Sequence, residues 1–340
     1  MISVFIKRTA APATKRRYSS SRSPEKFQAG DMVLVRECCK GGKQQMIGPL
    51  DPKQAYSSRL GILHHEDIIG MRPRERVKCR IKDIPSQTQF IIQHPTLEDY
   101  ILRCKRKTTP IYPKDASAIV AMLDISPGDC ILEAGTGNAS LTMHLARAVG
   151  HAGRVHTVER HAETSRHARG LVEQFQRGKL LPQSTFHVGV LSETIESIVA
   201  SIVNEEQAVA DGVISSKAAM EKPMFDGMAL DMPMPWTQLP HIHRFLKTDR
   251  FAVCYLPSMS QVMDLVRACK MWPLLVEDIV EVDWRSWDVR LATVRDNSDA
   301  TARGEAQAGI EGAMVCRPTH TPTGHTAFLV KLRRLIAAAN

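Results

Sequence analysis

The chain has 340 residues, of which 43% are hydrophobic and 24% charged, a balance typical of a globular enzyme with a large core. No stretch approaches the roughly 18 apolar residues of a membrane span, so neither a membrane protein nor a membrane partner is predicted. The formal net charge of +9 favours a polyanionic partner such as a nucleic acid.

Residues 1 to about 26 have the composition of a targeting peptide. Six lysines and arginines precede Glu25, the first acid, and four of residues 19–23 are serine. Arg-rich, Ser-rich and acid-poor composition is typical of a transit peptide, so we predict import into the mitochondrion (matrix). Two alternatives stay open: a disordered RNA-binding arm, and a nuclear signal around Lys15-Arg16-Arg17 that would direct the protein to the nucleus.

Residues 27–95 are predicted to form a small, barrel-like β domain. Apolar stretches at 32–35, 77–81 and 89–92 predict strands separated by turn-forming residues, and no long helical period is present. Five cations alternate along the second of these strands and the stretch before it: Arg72, Arg74, Arg76, Lys78 and Arg80. They predict either a solvated face or contacts with RNA phosphates.

A cationic loop with a tyrosine follows this domain. Thr96 and the acids after it predict the start of a short helix over 97–102. The loop then presents three candidate RNA contacts: Lys105, Arg106 and Lys107. Tyr112 lies between Pro110 and Pro113, which argues against a regular helix or central strand at this position. An aromatic side chain on such a loop is either partly buried or free to stack on a base.

Residues 96–335 are predicted to form an α/β domain. After a helix over 116–123, helical segments alternate with apolar strands at about 130–133, 154–158, 184–188, 227–231 and 251–256, and a final strand covers 326–332. This alternation predicts a mostly parallel sheet with helices on both faces. Ligands bind such sheets at the C-terminal strand ends, so Glu133, Glu159 and Asp231 should converge on one crevice. Two polar stretches, 204–223 and 296–313, predict surface insertions.

The stretch from Cys130 to Thr142 has the pattern of a buried strand, a tight glycine turn and a helix. Gly135 and Gly137 permit the sharp turn and the close approach of a ligand, and Asn138 or Ser140 is predicted to cap the helix. A second strand ends at Glu159, about twenty residues on, which is the layout of a nucleotide site. The third glycine of the dinucleotide-binding pattern G-x-G-x-x-G is missing, because Ser140 stands at that position. The acid Glu133, just before the turn, suits a cationic ligand. S-adenosyl-L-methionine is therefore favoured over a dinucleotide.

A second informative stretch follows the fourth strand of this domain. Asp231 ends the strand, and Pro233, Pro235 and Trp236 follow on an extended loop. Amino-methyltransferases have an acid or amide followed by prolines and an aromatic residue here. Asp231 can accept a hydrogen bond from the exocyclic amine of an adenine and stabilise the positive charge that develops when N1 is methylated. The simpler interpretation of Asp231 is a loop cap.

Several motifs in order resemble the tRNA (adenine-58-N1)-methyltransferase family, from about residue 30 to 335. They are T-P-I-Y-P-K-D at 109–115, L-E-A-G-T-G at 132–137, L-D-M-P-M-P-W at 230–236, V-D-W-R-S-W-D-V-R at 282–290, R-P at 317–318 and G-H-T-A-F-L at 324–329. The resemblance implies a class I Rossmann-like methyltransferase domain preceded by a small β domain. It also implies a tetramer that uses S-adenosyl-L-methionine to form 1-methyladenosine in the T-loop of tRNA.

The resemblance assigns roles to individual residues. The cofactor-binding set is Glu133, Gly135, Thr136, Gly137, Asn138, Ala139, Glu159, Val190 and Asp231. Asp231 matches the catalytic aspartate, and Tyr112 matches the tyrosine that lies against the target adenine. Two departures are Met234, where acid or serine is common, and Asn138-Ala139, where Ser-Gly is usual. The Y-P-K-D sequence resembles the bacterial and organellar form, which implies a homotetramer. A nuclear protein would instead pair with a non-catalytic RNA-binding subunit.

Other notable residues have simpler interpretations. The clustered histidines His151, His156, His161 and His167 are predicted on the surface or on helix faces, with no metal site. The eight cysteines include no C-x-x-C pair and are predicted to be reduced thiols. Trp284 and Trp287 are predicted to pack at a sheet edge or subunit interface, and Arg285 and Arg290 are candidate phosphate contacts. Alternative functions are methylation of another RNA position or a small molecule, and a non-catalytic RNA-binding subunit.

Overall fold

A computed structural model describes residues 26–38, 42–81, 84–210, 223–291, 314–318 and 324–336. The predicted transit peptide, except for its last residue, and the predicted insertion at 296–313 lie outside these residues. So do residues 211–222 of the first predicted insertion. Contacts divide the chain into two compact units, residues 1–94 and 95–340.

The first unit contains a nearly closed, barrel-like antiparallel sheet. Its strands in the described residues are β1 (Val33–Glu37), β2 (Gln44–Ile47), β3 (Ala55–Ser58), β4 (Gly61–His64), β5 (Arg76–Ile81) and β6 (Ile84–Gln93), in the order β2-β1-β6-β5-β4-β3. Alternation along β5 buries Val77 and Cys79 and leaves Arg76 and Lys78 outside. The predicted β fold is confirmed, although β2, β3 and β4 were not predicted from the sequence.

Part of the cationic stripe on β5 is engaged within the protein. The Arg80 guanidinium forms an ion pair with Asp67, and a further one with Glu66 at 3.5 Å. Arg74 donates to the Gln93 side chain at 2.9 Å. Arg76 and Lys78 point outward from the strand as the alternation predicts. Arg74 and Arg80 of this stripe therefore bind side chains of the protein itself.

The second unit is an α/β structure. Its helices in the described part of the chain are α1 (Leu97–Arg103), α2 (Pro113–Met122), α3 (Ser140–Val149), α4 (Ala162–Gln174), α5 (Leu191–Ala210), α6 (Leu239–Ile242) and α7 (Met259–Cys269). Its strands are β7 (Cys130–Ala134), β8 (Arg154–Glu159), β9 (Ser184–Val188), β10 (Phe225–Leu230), β11 (Leu246–Leu256), β12 (Leu274–Glu281), β13 (Trp287–Leu291), β14 (Met314–Pro318) and β15 (Phe328–Arg334).

Seven of these strands form one mixed sheet within the described residues, in the order β12-β15-β11-β10-β7-β8-β9. The five predicted strands, β7 to β11, run parallel, and β15 runs antiparallel between β11 and β12. The two central strands are almost wholly buried because helices cover both faces. The predicted α/β class is confirmed. None of the described helices is both long and apolar enough to cross a bilayer.

Local signals explain the helix boundaries near the site. Thr96 caps α1 through a reciprocal capping box with Asp99, as predicted. Helix α2 begins at Pro113 and not at residue 116, because the fixed φ of proline suits the first helical position. Tyr112 is therefore the residue immediately before α2.

Two further predictions, about residues 204–210 and His156, are wrong. Residues 204–210, predicted as part of an insertion, continue α5, whose inner side buries Ile195, Ile198 and Val203 against the sheet. His156, predicted on the surface or a helix face, is buried within β8. Its ring stacks on His187 of β9, with the two ring nitrogens 3.1 Å apart, and burial lowers its pKa to about 3. A neutral ring can pack inside a sheet as an apolar residue does.

Candidate active site

The glycine turn after β7 packs directly against the end of β10. Gly135 has a φ of +93° and Gly137 a φ of +53°. The Asp231 backbone N–H donates to the Ala134 carbonyl at 2.9 Å, so the two strand ends stay paired. A Cβ at Gly135 would lie 1.8 Å from the Asp231 carbonyl oxygen. Only glycine fits this position, and the turn brings the predicted cofactor loop and the predicted catalytic acid together.

The predicted helix caps are wrong. Helix α3 starts after Ala139, which has a left-handed φ of +56° and provides no side-chain cap. Asn138 and Ser140 hydrogen-bond instead to the loop that precedes Tyr112. Thr136 is also turned inward, with its hydroxyl 2.7 Å from that of Thr157 on β8. The turn therefore offers a ligand mainly its backbone.

Glu159 supports the turn from the neighbouring strand. One carboxylate oxygen accepts from the Gly137 N–H at 3.2 Å, and the other accepts from the His161 N–H at 3.1 Å. The Glu159 carbonyl accepts from the Gly189 N–H at 3.0 Å, which fixes the segment leading to Val190. Val190 is 39% exposed although it is apolar. Glu159 therefore offers carboxylate oxygens beside the turn, and Val190 offers an apolar surface just past the neighbouring strand β9.

Glu133 is fully buried beneath the turn. Its Oε2 accepts from the Thr142 hydroxyl at 2.6 Å, while its Oε1 has no hydrogen-bond partner in the described structure. Burial raises its pKa to about 8. A buried acceptor without a partner costs free energy, so this site is suited to a ligand that brings a donor or a positive charge.

Asp231 lies in the same acidic surroundings. Burial and, to a smaller extent, the charge of Glu159 raise its pKa to about 7. Asp231 in turn raises the pKa of Glu133. Three carboxyl groups at neighbouring strand ends repel one another in a low-dielectric setting. A bound cation would relieve this repulsion, so the electrostatics favour a positively charged ligand.

Tyr255 lies close enough to both Asp231 and Tyr112 to interact with them electrostatically. Burial raises the pKa of Tyr255, and the charges of Asp115 and Asp231 raise it further, with a smaller contribution from Tyr112. Sequence reasoning did not identify Tyr255. The sequence feature that could have identified Tyr255 is its position. Cys254, one residue earlier, pairs with Leu230, and Leu230 directly precedes Asp231. A polar aromatic at the end of the next parallel strand belongs to the same crevice.

A buried ion pair fixes the first turn of α2. Lys114 Nζ contacts Asp115 Oδ1 at 2.8 Å, the Val282 carbonyl at 2.6 Å and the Thr326 hydroxyl at 2.7 Å. The Thr326 hydroxyl donates to the second Asp115 oxygen at 2.8 Å. Because every charge has its partners, the network orients the start of α2 and therefore Tyr112. Lys114, Asp115 and Thr326 belong to the Y-P-K-D and G-H-T-A sequences, but their contact was not predicted.

The comparisons with known proteins agree with this geometry. Residues 89–313 match a family model described as tRNA methyltransferase complex GCD14 subunit. The chain is also 36% identical over 285 residues to the tRNA (adenine(58)-N(1))-methyltransferase TrmI of Thermus thermophilus, which covers 83% of this chain and 91% of that protein. The chain belongs to this family of tRNA methyltransferases. The family predicted from the motifs is confirmed.

Three further proteins show how far the likeness extends in sequence and in structure. The catalytic subunit TRM61 of Candida albicans is 28% identical over 282 residues, covering 82% of this chain and 74% of that protein. The crystal structure of tRNA (m1A58) methyltransferase TrmI from Aquifex aeolicus covers 92% of this chain and 100% of that chain, with a TM-score of 0.62 and 25% identity. A SAM-dependent O-methyltransferase from Thermotoga maritima has a TM-score of 0.69 at 23% identity, with 92% and 96% coverage, and supports the fold.

The predicted RNA contacts of this tRNA methyltransferase lie on two segments of the chain, the loop before Tyr112 and residues 285–290. Lys105 and Arg106 are exposed on the loop before Tyr112, whereas the Lys107 ammonium pairs with Glu163 at 2.5 Å. Arg285 is exposed and lies 5.6 Å above the Trp287 ring. Arg290 is on β13, and its side chain lies outside the described set. No metal-binding group of three or more His, Cys, Asp or Glu residues occurs in the described residues.

Proposed function

We propose that this protein uses S-adenosyl-L-methionine to methylate N1 of adenine 58 in the T-loop of tRNA. The observation that carries the proposal is the direct pairing of the glycine turn with the strand end of Asp231, through the 2.9 Å bond between Asp231 N and Ala134 O. Because of this bond, the loop that we propose to hold the cofactor and the acid that we propose to contact the target amine lie in one crevice. The family membership, with its relatives named for adenine 58, supports the same substrate.

The residues present fit the proposed cofactor. The Glu159 carboxylate would hold the ribose hydroxyls, and Val190 would contact the adenine ring. The turn at Gly135 leaves no room for a side chain, and the unpartnered Glu133 oxygen would receive a donor of the amino-acid end. When bound, S-adenosyl-L-methionine supplies a methyl group on a positively charged sulfur atom. That charge suits the acidic crevice.

The protein's own residues would then orient the target base. Adenine N1 has an in-plane lone pair, so no general base has to remove a proton. Asp231 accepts a hydrogen bond from the N6 amine and stabilises the positive charge that develops on the base. Tyr112 stacks against the ring and, with Asp231, holds N1 in line with the methyl group. Because the T-loop adenine is buried in the tRNA elbow, the base must be extruded into this crevice.

Glu159→Ala should weaken cofactor binding by at least about tenfold, because it removes both the ribose acceptor and the partner of the Gly137 N–H. Isothermal titration calorimetry with S-adenosylhomocysteine measures the affinity. The matched control is Glu163→Ala, which removes an exposed acid four residues later and should leave the affinity unchanged. Equal affinities for wild type and Glu159→Ala would remove the ribose role.

The activity should depend on the ionisation of Asp231. Its carboxylate form is needed, and its raised pKa of about 7 means that the protonated form is populated below that pH. At low cofactor concentration, kcat/KM should therefore fall about tenfold per pH unit below pH 7. Saturation with the cationic cofactor should move this acid limb to lower pH, because a nearby positive charge favours the carboxylate. An acid limb that stays in the same place at both concentrations would contradict this assignment.

Methyl transfer to a defined nucleoside tests the function directly. The purified chain should convert an unmodified tRNA transcript to one that contains 1-methyladenosine at position 58, detected by nuclease digestion and mass spectrometry. A transcript with guanine at position 58 should gain no methyl group. Methylation of another nucleoside would favour the alternative of a different RNA position, and no methylation at all would favour a non-catalytic RNA-binding subunit.

The tRNA surface is proposed to include Lys105, Arg106, Arg285 and Arg290, with Lys107 released from Glu163 when RNA binds. The first three are exposed or lie on an exposed loop, which supports contact with phosphates. The net charge of +9 supports an RNA partner as well.

We also propose a homotetramer in the mitochondrial matrix. Exposed apolar residues on α7 and on the edge strand β12 support self-association: Met259, Met263, Leu275 and Ile279. Sedimentation velocity measures the assembly. In cells that lack the protein, 1-methyladenosine 58 should be lost from mitochondrial tRNA. Loss only from cytosolic tRNA would favour the nuclear alternative, with a non-catalytic partner subunit.

A further inference from the structure

The loop of residues 104–112, between α1 and α2, is held to the glycine turn by two buried side chains. Asn138 Oδ1 accepts from the Lys107 N–H at 3.1 Å and from the Thr108 N–H at 3.5 Å, and Asn138 Nδ2 donates to the Thr108 carbonyl. Ser140 donates to the Ile111 carbonyl. Asn138 and Ser140 are each only 3% exposed, so water cannot readily replace these bonds.

Cys104 and Ile111 bury the two ends of this loop, but its exposed central part has few other polar contacts. In the described structure, the backbone groups of residues 105–111 form no hydrogen bond with another backbone group. A ring nitrogen of His167 lies 3.1 Å from the Lys105 carbonyl, and Lys107 pairs with Glu163. The Lys107 and Glu163 side chains are 43% and 76% exposed, so this ion pair contributes little. The buried Asn138 amide is therefore the principal anchor of the central part of the loop.

Asn138 connects two segments with different proposed tasks. It belongs to the turn that we propose to hold the cofactor, but its side chain is committed to the loop and not to a ligand. The loop begins with the exposed Lys105 and Arg106 and ends at Tyr112, which precedes α2. Gly137 approaches the same loop closely, since a Cβ there would lie 3.1 Å from the Thr108 hydroxyl. Ordering either segment therefore constrains the other.

We propose that Asn138 is a positioning residue that makes cofactor binding and tRNA binding cooperative. The inference rests on the proposed function, because it requires both ligands to use these segments. A cofactor that orders the turn also orders residues 107–108 and hence the approach to Tyr112, so tRNA meets an arranged loop. By thermodynamic linkage, tRNA must strengthen cofactor binding by the same factor. Serine, the residue more usual here in the family, is too short to make both the donor and acceptor contacts.

The test measures the dissociation constant of a tRNA transcript by fluorescence anisotropy, with and without S-adenosylhomocysteine, which carries no transferable methyl group. Wild type should bind tRNA about fivefold or more tightly in its presence. In Asn138→Ser and Asn138→Ala this factor should fall below about two, with KM for tRNA raised more than kcat is lowered. Glu163→Gln breaks the exposed ion pair on the same loop and should keep the wild-type factor.

The outcomes separate this inference from the proposed function. A wild-type coupling factor retained in both Asn138 variants, or a factor of one in wild type, overturns the role of Asn138. Loss of coupling in Glu163→Gln to the same degree also overturns it, because the amide would then have no special role. Wild-type methylation of the same transcript, measured in parallel, decides the proposed function independently. Thermal unfolding of each variant and the reciprocal cofactor titration in the presence of tRNA separate loss of coupling from loss of fold.

Discussion

Asp231→Ala should lower kcat by about 10²- to 10³-fold or more, because it removes the carboxylate that stabilises charge on the methylated base. The side chain directly follows β10, beside the glycine turn, and forms no hydrogen bond with any other described residue. Binding of tRNA should therefore persist. Methyl transfer under single-turnover conditions and tRNA affinity, measured on the same preparation, check both expectations.

Asp231→Asn is the matched variant, because the amide oxygen can still accept a hydrogen bond from the N6 amine but carries no charge. Its rate should lie between those of wild type and Asp231→Ala, which separates hydrogen bonding from charge stabilisation. Full activity in Asp231→Ala would refute the proposed role of the acid. Equal rates in the two variants would assign the whole effect to the charge.

Gly135→Ala should abolish cofactor binding and lower the free energy of unfolding by about 2–4 kcal/mol. The left-handed φ of +93° disfavours a side chain, and the new Cβ would lie 1.8 Å from the Asp231 carbonyl oxygen. The clashing atom belongs to the backbone, so a rotamer change cannot relieve the contact, and the strand ends must separate. Chemical denaturation and calorimetry measure the two effects.

Gly170→Ala is the control for this substitution. Gly170 lies within α4, and a Cβ there meets nothing within 4 Å. Alanine is the better helix former, so this variant should raise the free energy of unfolding by about 0.5–1 kcal/mol and leave cofactor affinity unchanged. If Gly135→Ala bound cofactor as well as Gly170→Ala does, the close approach at Gly135 would not be required for the site.

Local sequence patterns were sufficient to predict those structural features that depend on residues close together in the chain. The strand before Gly135, the capping box at Thr96 and the strand end at Asp231 all follow from residue type and spacing. The same patterns place Glu133, Glu159 and Asp231 at adjacent strand ends, because the C-terminal ends of parallel strands meet at one edge.

Features that depend on distant partners were not predicted. Asn138 and Ser140 have the residue types of helix caps, but backbone groups about thirty residues earlier bind their side chains. Loop N–H groups donate to the Asn138 oxygen, and the Ser140 hydroxyl donates to the Ile111 carbonyl. Lys114 reaches Thr326, which is 212 positions away in the sequence. His156 has a polar side chain, yet its neutral ring packs against His187 inside the sheet. In each case tertiary contacts override the local preference.

The most direct test of the mechanism is a double-mutant cycle between Asp231 and the N6 amine. Single-turnover rates are measured for wild type and Asp231→Ala, each with a transcript that carries adenine or unsubstituted purine at position 58. If Asp231 accepts the N6 hydrogen bond, removing the amine should slow wild type about 10- to 100-fold more than it slows the variant, whose loss reports only the weaker nucleophilicity of N1 in purine. The same rate loss in both enzymes would contradict the contact between Asp231 and the target base.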